Sequence, residues 1–282
     1  MTILVTGGGG GIGRRVVAAL AAAGHQVRAT AREATTLRVP DGVDTVSLDL
    51  TAATVPADVF DGVDAVFLYP VLGDPGPFLA AARAARVDHT VLLSSPASFS
   101  PGEFDQPIGR VHQAIEAALD ESGLPHTVLY PSWLASNTVR DWAGQIRSRG
   151  RVALESPEAQ MSPIHPADVA SVAAHLLTRP EFRARLQILS GPESLTLWTI
   201  VDVVAEEIRR PVGIDELTRE QALAARPAHL PEAIYRTLLD VEADAVGVPA
   251  LLTNGVARIT GRPPRPVADW VRENRAAFVE AA

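Results

Sequence analysis

The chain has 282 residues, 47% of them hydrophobic, and a formal net charge of −8. That length supports one large domain or two closely joined lobes, and the acidic balance argues against nucleic acid as a partner. Cysteine is absent and all 25 basic residues are arginine, which excludes disulfides, thiolate catalysis, Schiff-base chemistry and a Walker-type lysine.

No run of about 20 apolar residues occurs, so no membrane span is expected. Met1-Thr2 leads straight into the first strand, which predicts no signal peptide and a cytoplasmic protein. That strand, near 2–6, carries Ile3-Leu4-Val5 and opens into Thr6-Gly7-Gly8-Gly9-Gly10-Gly11-Ile12-Gly13, followed by an Ala-rich helix near 12–23. Strand, glycine turn and helix in that order make a phosphate cradle. Side chains would bar a pyrophosphate from the backbone, and the helix N-terminus offers free N–H groups and a favourable dipole. Two registers fit: Gly8, Gly10 and Gly13 as G-x-G-x-x-G, or Gly7, Gly10 and Gly13 as T-G-x-x-G-x-x-G. Their place at the start of a βαβ unit makes the pattern specific, and Gly7, Gly10, Gly11, Ile12 and Gly13 are the expected phosphate-binding residues.

The second strand, near 26–31, ends at Arg32-Glu33. An acidic residue here would bind the ribose hydroxyls of NAD, whereas an arginine pairs with the 2′-phosphate of NADP. Arg32 stands nearest the strand end, so NADP is favoured over NAD, and Glu33 keeps dual specificity open. Strands near 43–48, 63–68, 89–94 and 126–130 follow, with helices near 76–87 and 107–122 and a helical turn near 56–60. Short β-branched runs alternating with helices predict an α/β fold: a Rossmann-type, doubly wound parallel sheet with ligands at the carboxyl ends of its strands. Asp49, within Leu48-Asp49-Leu50 at the end of the third strand, reads either as an acceptor for the adenine amino group or as a turn residue.

Beyond Pro131 a helix over 169–177 and a strand over 186–189 return to the sheet. Helices over 195–210, 219–225, 231–246 and 266–281 follow, separated by Pro and Gly. The expected division is a cofactor-binding core of 1–131 with 162–190, and a smaller, mostly helical substrate lobe of 132–161 with 191–282.

Several motifs together resemble the NmrA-like family of atypical short-chain dehydrogenases/reductases over nearly the whole length. They are Thr6 to Gly13, Ala31-Arg32, Leu48-Asp49-Leu50, Asp64 to Pro70, Val91 to Ser95, Ser122 to Pro131, Ile164 to Ala170, and Ile259 to Pro264 followed by Trp270. The resemblance implies an NADP-binding domain with a C-terminal lobe over the substrate cleft, in a family that holds quinone reductases, natural-product reductases and redox-sensing regulators. Asp49, Leu50, Tyr69, Pro70, Ser94 and Pro131 are placed with Arg32 on the cofactor side, and Trp133, Asn137 and His165 on the substrate side. Trp133 reads equally well as lobe packing.

Active short-chain dehydrogenases usually carry Tyr-x-x-x-Lys on the helix after the fifth strand. Here Ile108 stands at the tyrosine position and His112 at the lysine position, so the family's usual mechanism is unavailable. His112, Ser95 and Tyr130 are the catalytic candidates: an imidazole titrating near neutrality, and two hydroxyls at strand ends facing the crevice. His112 also reads as a packing residue. Asp168 reads as a helix-capping carboxylate, Arg14 and Arg15 as additions to the phosphate field, and His126 and His175 as structural. No metal is expected, because no His/Asp/Glu cluster has ligand spacing. Two functions stand: an NADPH-dependent reductase of a small conjugated carbonyl, quinone or aromatic natural-product-type substrate, or a non-catalytic NADP(H)-binding redox sensor. Either would act as a monomer or homodimer on small molecules, away from membranes.

Overall fold

The computed structural model describes residues 1–70, 73–99, 107–227 and 230–279. In chain order it forms β1 (Thr2–Val5), α1 (Gly13–Ala22), β2 (Gln26–Ala31), β3 (Asp44–Ser47), β4 (Val63–Leu68), α2 (Gly76–Ala84), β5 (His89–Leu93), α3 (Pro107–Ser122) and β6 (His126–Pro131). Then come α4 (Ala143–Arg149), β7 (Arg151–Leu154), β8 (Gln160–Met161), α5 (Pro166–Thr178), β9 (Leu186–Leu189), β10 (Leu195–Thr196), α6 (Leu197–Ile208) and β11 (Gly213–Glu216). The chain closes with α7 (Arg219–Ala224), α8 (Glu232–Asp244), α9 (Gly255–Thr260), α10 (Val267–Glu273) and α11 (Arg275–Val279).

Seven strands pair in the order β3-β2-β1-β4-β5-β6-β9, every pair parallel. The order reverses between β1 and β4, and that switch point is where a doubly wound sheet opens a ligand crevice. Period-two alternation along the strands divides two cores. Ile3, Val5, Phe67, Val91 and Leu93 face α1 and α5, while Leu4, Val66, Leu68, Leu92 and Val128 face α2 and α3. Both faces are covered, so β1, β4 and β5 read as near-continuous apolar runs.

A third core gathers Trp142, Ile146, Val152, Leu154, Ile200, Val204, Trp270 and Phe278 away from the sheet. Its framework holds more than helices. β7 pairs with β11 in parallel and β8 with β10 antiparallel, each as a two-stranded ribbon. The strand pair at Leu195–Thr196 shortens the helix expected from 195, and the helix expected over 266–281 breaks at Asn274, whose Nδ2 donates to Trp270 O at 2.8 Å. The last two residues of that expected helix lie outside the described residues. α9 returns to the sheet, with Val256 and Ile259 joining the first core. Among the described residues, no helix is long and apolar enough to cross a membrane, and no cluster of three His, Asp or Glu could hold a metal ion.

Candidate functional site

The glycine loop is fixed from both sides of the switch point. Thr6, fully buried, donates through its N–H and its hydroxyl to Phe67 O, each at 3.0 Å, and its Oγ1 accepts from Tyr69 N–H at 2.7 Å. The ends of β1 and β4 are thereby stitched together. Gly7 has φ +64°, and Gly10 N–H closes the turn onto Gly7 O at 2.9 Å. A Cβ on Gly13 would lie 2.2 Å from Gly7 O, a backbone atom that cannot step aside. These contacts select the Gly7/Gly10/Gly13 register. α1 then starts from Ile12 without a side-chain cap, and among the described residues nothing accepts from the N–H groups of Gly11, Ile12 and Gly13. Free donors at the N-terminus of a ten-residue helix, with open space beside Gly11, fit a pyrophosphate.

At the end of β2 a cavity of about 470 Å³ is lined by Ala31, Arg32, Glu33 and Thr36. Arg32 is exposed there and has no ion pair among the described residues. Glu33 is engaged locally: Thr35 Oγ1 donates to its carboxylate at 3.3 Å, and its carbonyl accepts from the Thr36 hydroxyl at 2.7 Å. Asp49 takes the turn role, with Oδ1 accepting from Thr51 N–H at 2.9 Å and Thr51 Oγ1 at 2.8 Å. Those two bonds hold its carboxyl below the usual range, with a smaller contribution from the nearby Arg32 charge. Leu50 packs against the second core. Tyr69 is exposed beside the loop, so close that a Cβ on Gly7 would lie 3.1 Å from its Cβ, and Pro70 follows half-buried.

Past the end of β5, four side chains meet. Glu116 accepts from the Ser94 hydroxyl with Oε1 and from Tyr130 OH with Oε2 at 2.9 Å, while His112 Nδ1 lies 3.2 Å from Ser94 Oγ. A hydroxyl carries one proton. With the Ser94 proton on Glu116, the bond from the imidazole is made by Nδ1–H, leaving His112 Nε2 as a bare acceptor. Burial pushes the His112 pKa down against the opposing charge of Glu116, so the ring is neutral at pH 7. Burial first, and then the bond to Glu116, push the Tyr130 phenol well above its ordinary value. Its ring also packs on Phe99, 4.3 Å between centroids.

This arrangement alters three expectations. Ser94, not Ser95, joins His112: Ser95 Oγ accepts from Ala97 N–H at 3.3 Å and its carbonyl from the Ser98 hydroxyl at 3.0 Å, so it holds the turn Pro96–Phe99. Tyr130 is a hydrogen-bond donor locked on a carboxylate and a poor proton source. Glu116 carries the cluster and escaped prediction, although its i, i+4 spacing from His112 places both on one helix face. On the cofactor side, the buried Pro131 ends β6; on the substrate side, Trp133 packs on Trp142, 5.9 Å between tilted rings, against the third core. Asn137, half-buried, precedes a π-helical turn over Thr138–Trp142. His165 is fully buried and caps α5, its Nδ1 accepting from Ala167 N–H at 3.0 Å. Asp168 does not cap. It lies in the first turn of α5 and accepts from Arg265 N–H at 2.7 Å.

A family described as NAD(P)H-binding matches residues 7–180. The (4-alkanoyl-5-oxo-2,5-dihydrofuran-3-yl)methyl phosphate reductase of Streptomyces griseus is 36% identical, over 98% of this chain and 99% of that relative. The chain belongs to this NAD(P)H-binding family. Its NmrA-like character, expected from the motifs, stands with it. This NAD(P)H-binding protein is also similar to an NAD(P)H azoreductase of Xenophilus azovorans, 31% identical over 98% of this chain and 99% of that one. In fold it matches an NADPH-dependent quinone oxidoreductase of Escherichia coli with a TM-score of 0.77, at 20% identity and covering 98% of this chain and 100% of that one.

Proposed function

We propose that the chain is an NADPH-dependent reductase of small conjugated acceptors such as enones, quinones and azo compounds. The observation that carries this reading is the cluster at the end of β5: it holds a neutral imidazole and a shared carboxylate, and no strong acid. Ile108 stands where a catalytic tyrosine would, no lysine exists to depress a phenol, and Tyr130 is held protonated on Glu116. A simple ketone needs a good acid as its alkoxide forms. A conjugated acceptor becomes a stabilised enolate or hydroquinone anion and takes its proton from a weak donor. The relatives agree in kind, since one is named for an unsaturated lactone and another for azo reduction.

The loop at Gly7–Gly13 holds the diphosphate, and Arg32 offers a planar fork to a 2′-phosphate, which favours NADPH over NADH. When bound, the reduced nicotinamide supplies the hydride. Ser94 Oγ–H turns from Glu116 to the reduced acceptor's anionic oxygen, or nitrogen in an azo compound, and His112 refills it from Nδ1 while taking a proton from water at Nε2. Glu116 and Tyr130 orient the hydroxyl. The third core forms the wall of the substrate cleft, with Trp133 and Asn137 at its edge.

Loss of nicotinamide absorbance, followed with quinones, enones, azo dyes and plain ketones, tests this reading. Turnover with the conjugated acceptors and none with the ketones is expected, with Ser94→Ala lowering kcat about 100-fold. Equal turnover of plain ketones would sink the proposal. Tight NADPH binding with no turnover of any acceptor would instead favour a redox sensor, the second reading that the missing Tyr-Lys pair supports.

A further inference from the structure

The C-terminal segment reaches back to the glycine loop. Arg265 N–H donates to Asp168 Oδ2 at 2.7 Å and its guanidinium lies 3.7 Å from Oδ1, which ties the start of the segment to α5. One helix further, Trp270 is buried with its ring edge-on to His165, centroids 5.5 Å apart. Over the Trp270 ring, 5.3 Å from its centroid, sits the guanidinium of Arg15, and the same guanidinium donates to Gly11 O at 2.6 Å. Glu273 stands beside this stack, its Oε2 3.2 Å from His165 Nε2. Because His165 Nδ1 accepts from Ala167, the neutral ring carries its proton on Nε2, a buried N–H that lies near Glu273 without making a hydrogen bond.

The bond to Gly11 O matters for the other side of that peptide. In a planar trans peptide the carbonyl of Gly11 and the N–H of Ile12 point in opposite directions. Pulling the carbonyl back toward Arg15 therefore aims the Ile12 N–H outward, and nothing among the described residues accepts from it. We propose that Trp270 is a positioning residue for the cofactor: its ring holds Arg15 on the Gly11 carbonyl and so sets the glycine loop to receive a diphosphate. The inference rests on the cofactor reading above but not on any acceptor. It makes the far end of the chain part of the pyrophosphate site and assigns Arg15 an inward role in place of direct contact with phosphate.

NADPH binding by fluorescence titration, with thermal melts of the cofactor-free variants, tests it. Arg15→Met is expected to weaken binding about fivefold, the scale of one cation–π contact, with a melting temperature lowered by only a few degrees. Trp270→Phe should weaken it less, and the double variant should bind no worse than Arg15→Met alone, since both act through one arginine. Glu273→Gln fixes the sign. Positioning by Trp270 predicts unchanged binding, whereas an Arg15 that meets phosphate directly would bind more tightly once the nearby acid is gone. Tighter binding by Glu273→Gln, unchanged binding by Arg15→Met, or fully additive losses would each overturn the inference and leave the reductase reading intact. A wild-type chain that binds neither NADPH nor NADH would overturn both.

Discussion

Arg32 and Glu116 differ in how far position in the sequence suggests a role for a single side chain. Arg32 follows a strand whose place in the fold is fixed, and on the proposed reading it meets the 2′-phosphate there. Arg32→Ala should weaken NADPH at least tenfold while leaving NADH within twofold, because only the phosphate's bidentate partner is lost; isothermal titration with both cofactors checks it. Glu116 looks like any solvated acid on an amphipathic helix until β6 sets Tyr130 opposite. A carboxylate accepts from two hydroxyls at once, and a glutamine offers one acceptor oxygen and an NH₂ that clashes with a second donor. Glu116→Gln should therefore lower kcat with little change in the KM for NADPH, and Glu116→Asp should restore part of it. A KM effect in place of a kcat effect would remove Glu116 from the cluster.

At the scale of elements, the same contact joins α3 to β6, beside the apolar packing of Ile115 and Leu119 with Val128 in the second core. Tyr130→Phe keeps the ring on Phe99 but removes the donor to Glu116, which should cost about 1–3 kcal/mol in urea unfolding at an unchanged m-value. The parts legible in the sequence share a trait: their signals are local. Apolar runs flanked by glycine or proline gave the sheet strands within a residue or two, and α3 over 107–122 matches its range. Elements that exist only because a distant segment pairs with them stayed hidden. β8 and β10 are two residues each, too short for any periodicity, and β7 and β11 are held by partners some 60 residues apart. Which of Ser94 and Ser95 turns toward His112 is hidden for a related reason. The strand ends at Leu93, so alternation no longer says which hydroxyl faces inward.

For the whole molecule, burial displaces titrations in opposing directions, and stability against pH is their balance. His89, buried and bonded to Thr127 Oγ1 at 3.1 Å, is pushed down to about 4 by burial, with Arg183 and His126 adding to it. Its folded pKa lies below its unfolded value, so its contribution is present above pH 6.5 and is lost as pH falls through about 4. Glu242 runs the other way. Burial first, then the charges of Asp141 and Glu155, raise its carboxyl from 4.5 to about 7, with Arg219 opposing. The folded chain thus holds a proton that the unfolded chain releases. That contribution is complete below pH 4.5 and is lost as pH rises through about 7. Between these limits the two slopes oppose each other, so the wild type should show a flat stability profile there. Glu242→Gln removes one slope and leaves the other. Relative to wild type it should gain on the order of 1–3 kcal/mol between pH 4.5 and pH 8, measured by denaturant unfolding at each pH. The gain sits below the full conversion of the shift because Glu242 is only half-buried and solvent screens its open side. A difference between variant and wild type that stays constant across that range would mean that Glu242 ionises normally, and that the acidic face it shares with Asp141 and Glu155 is solvated.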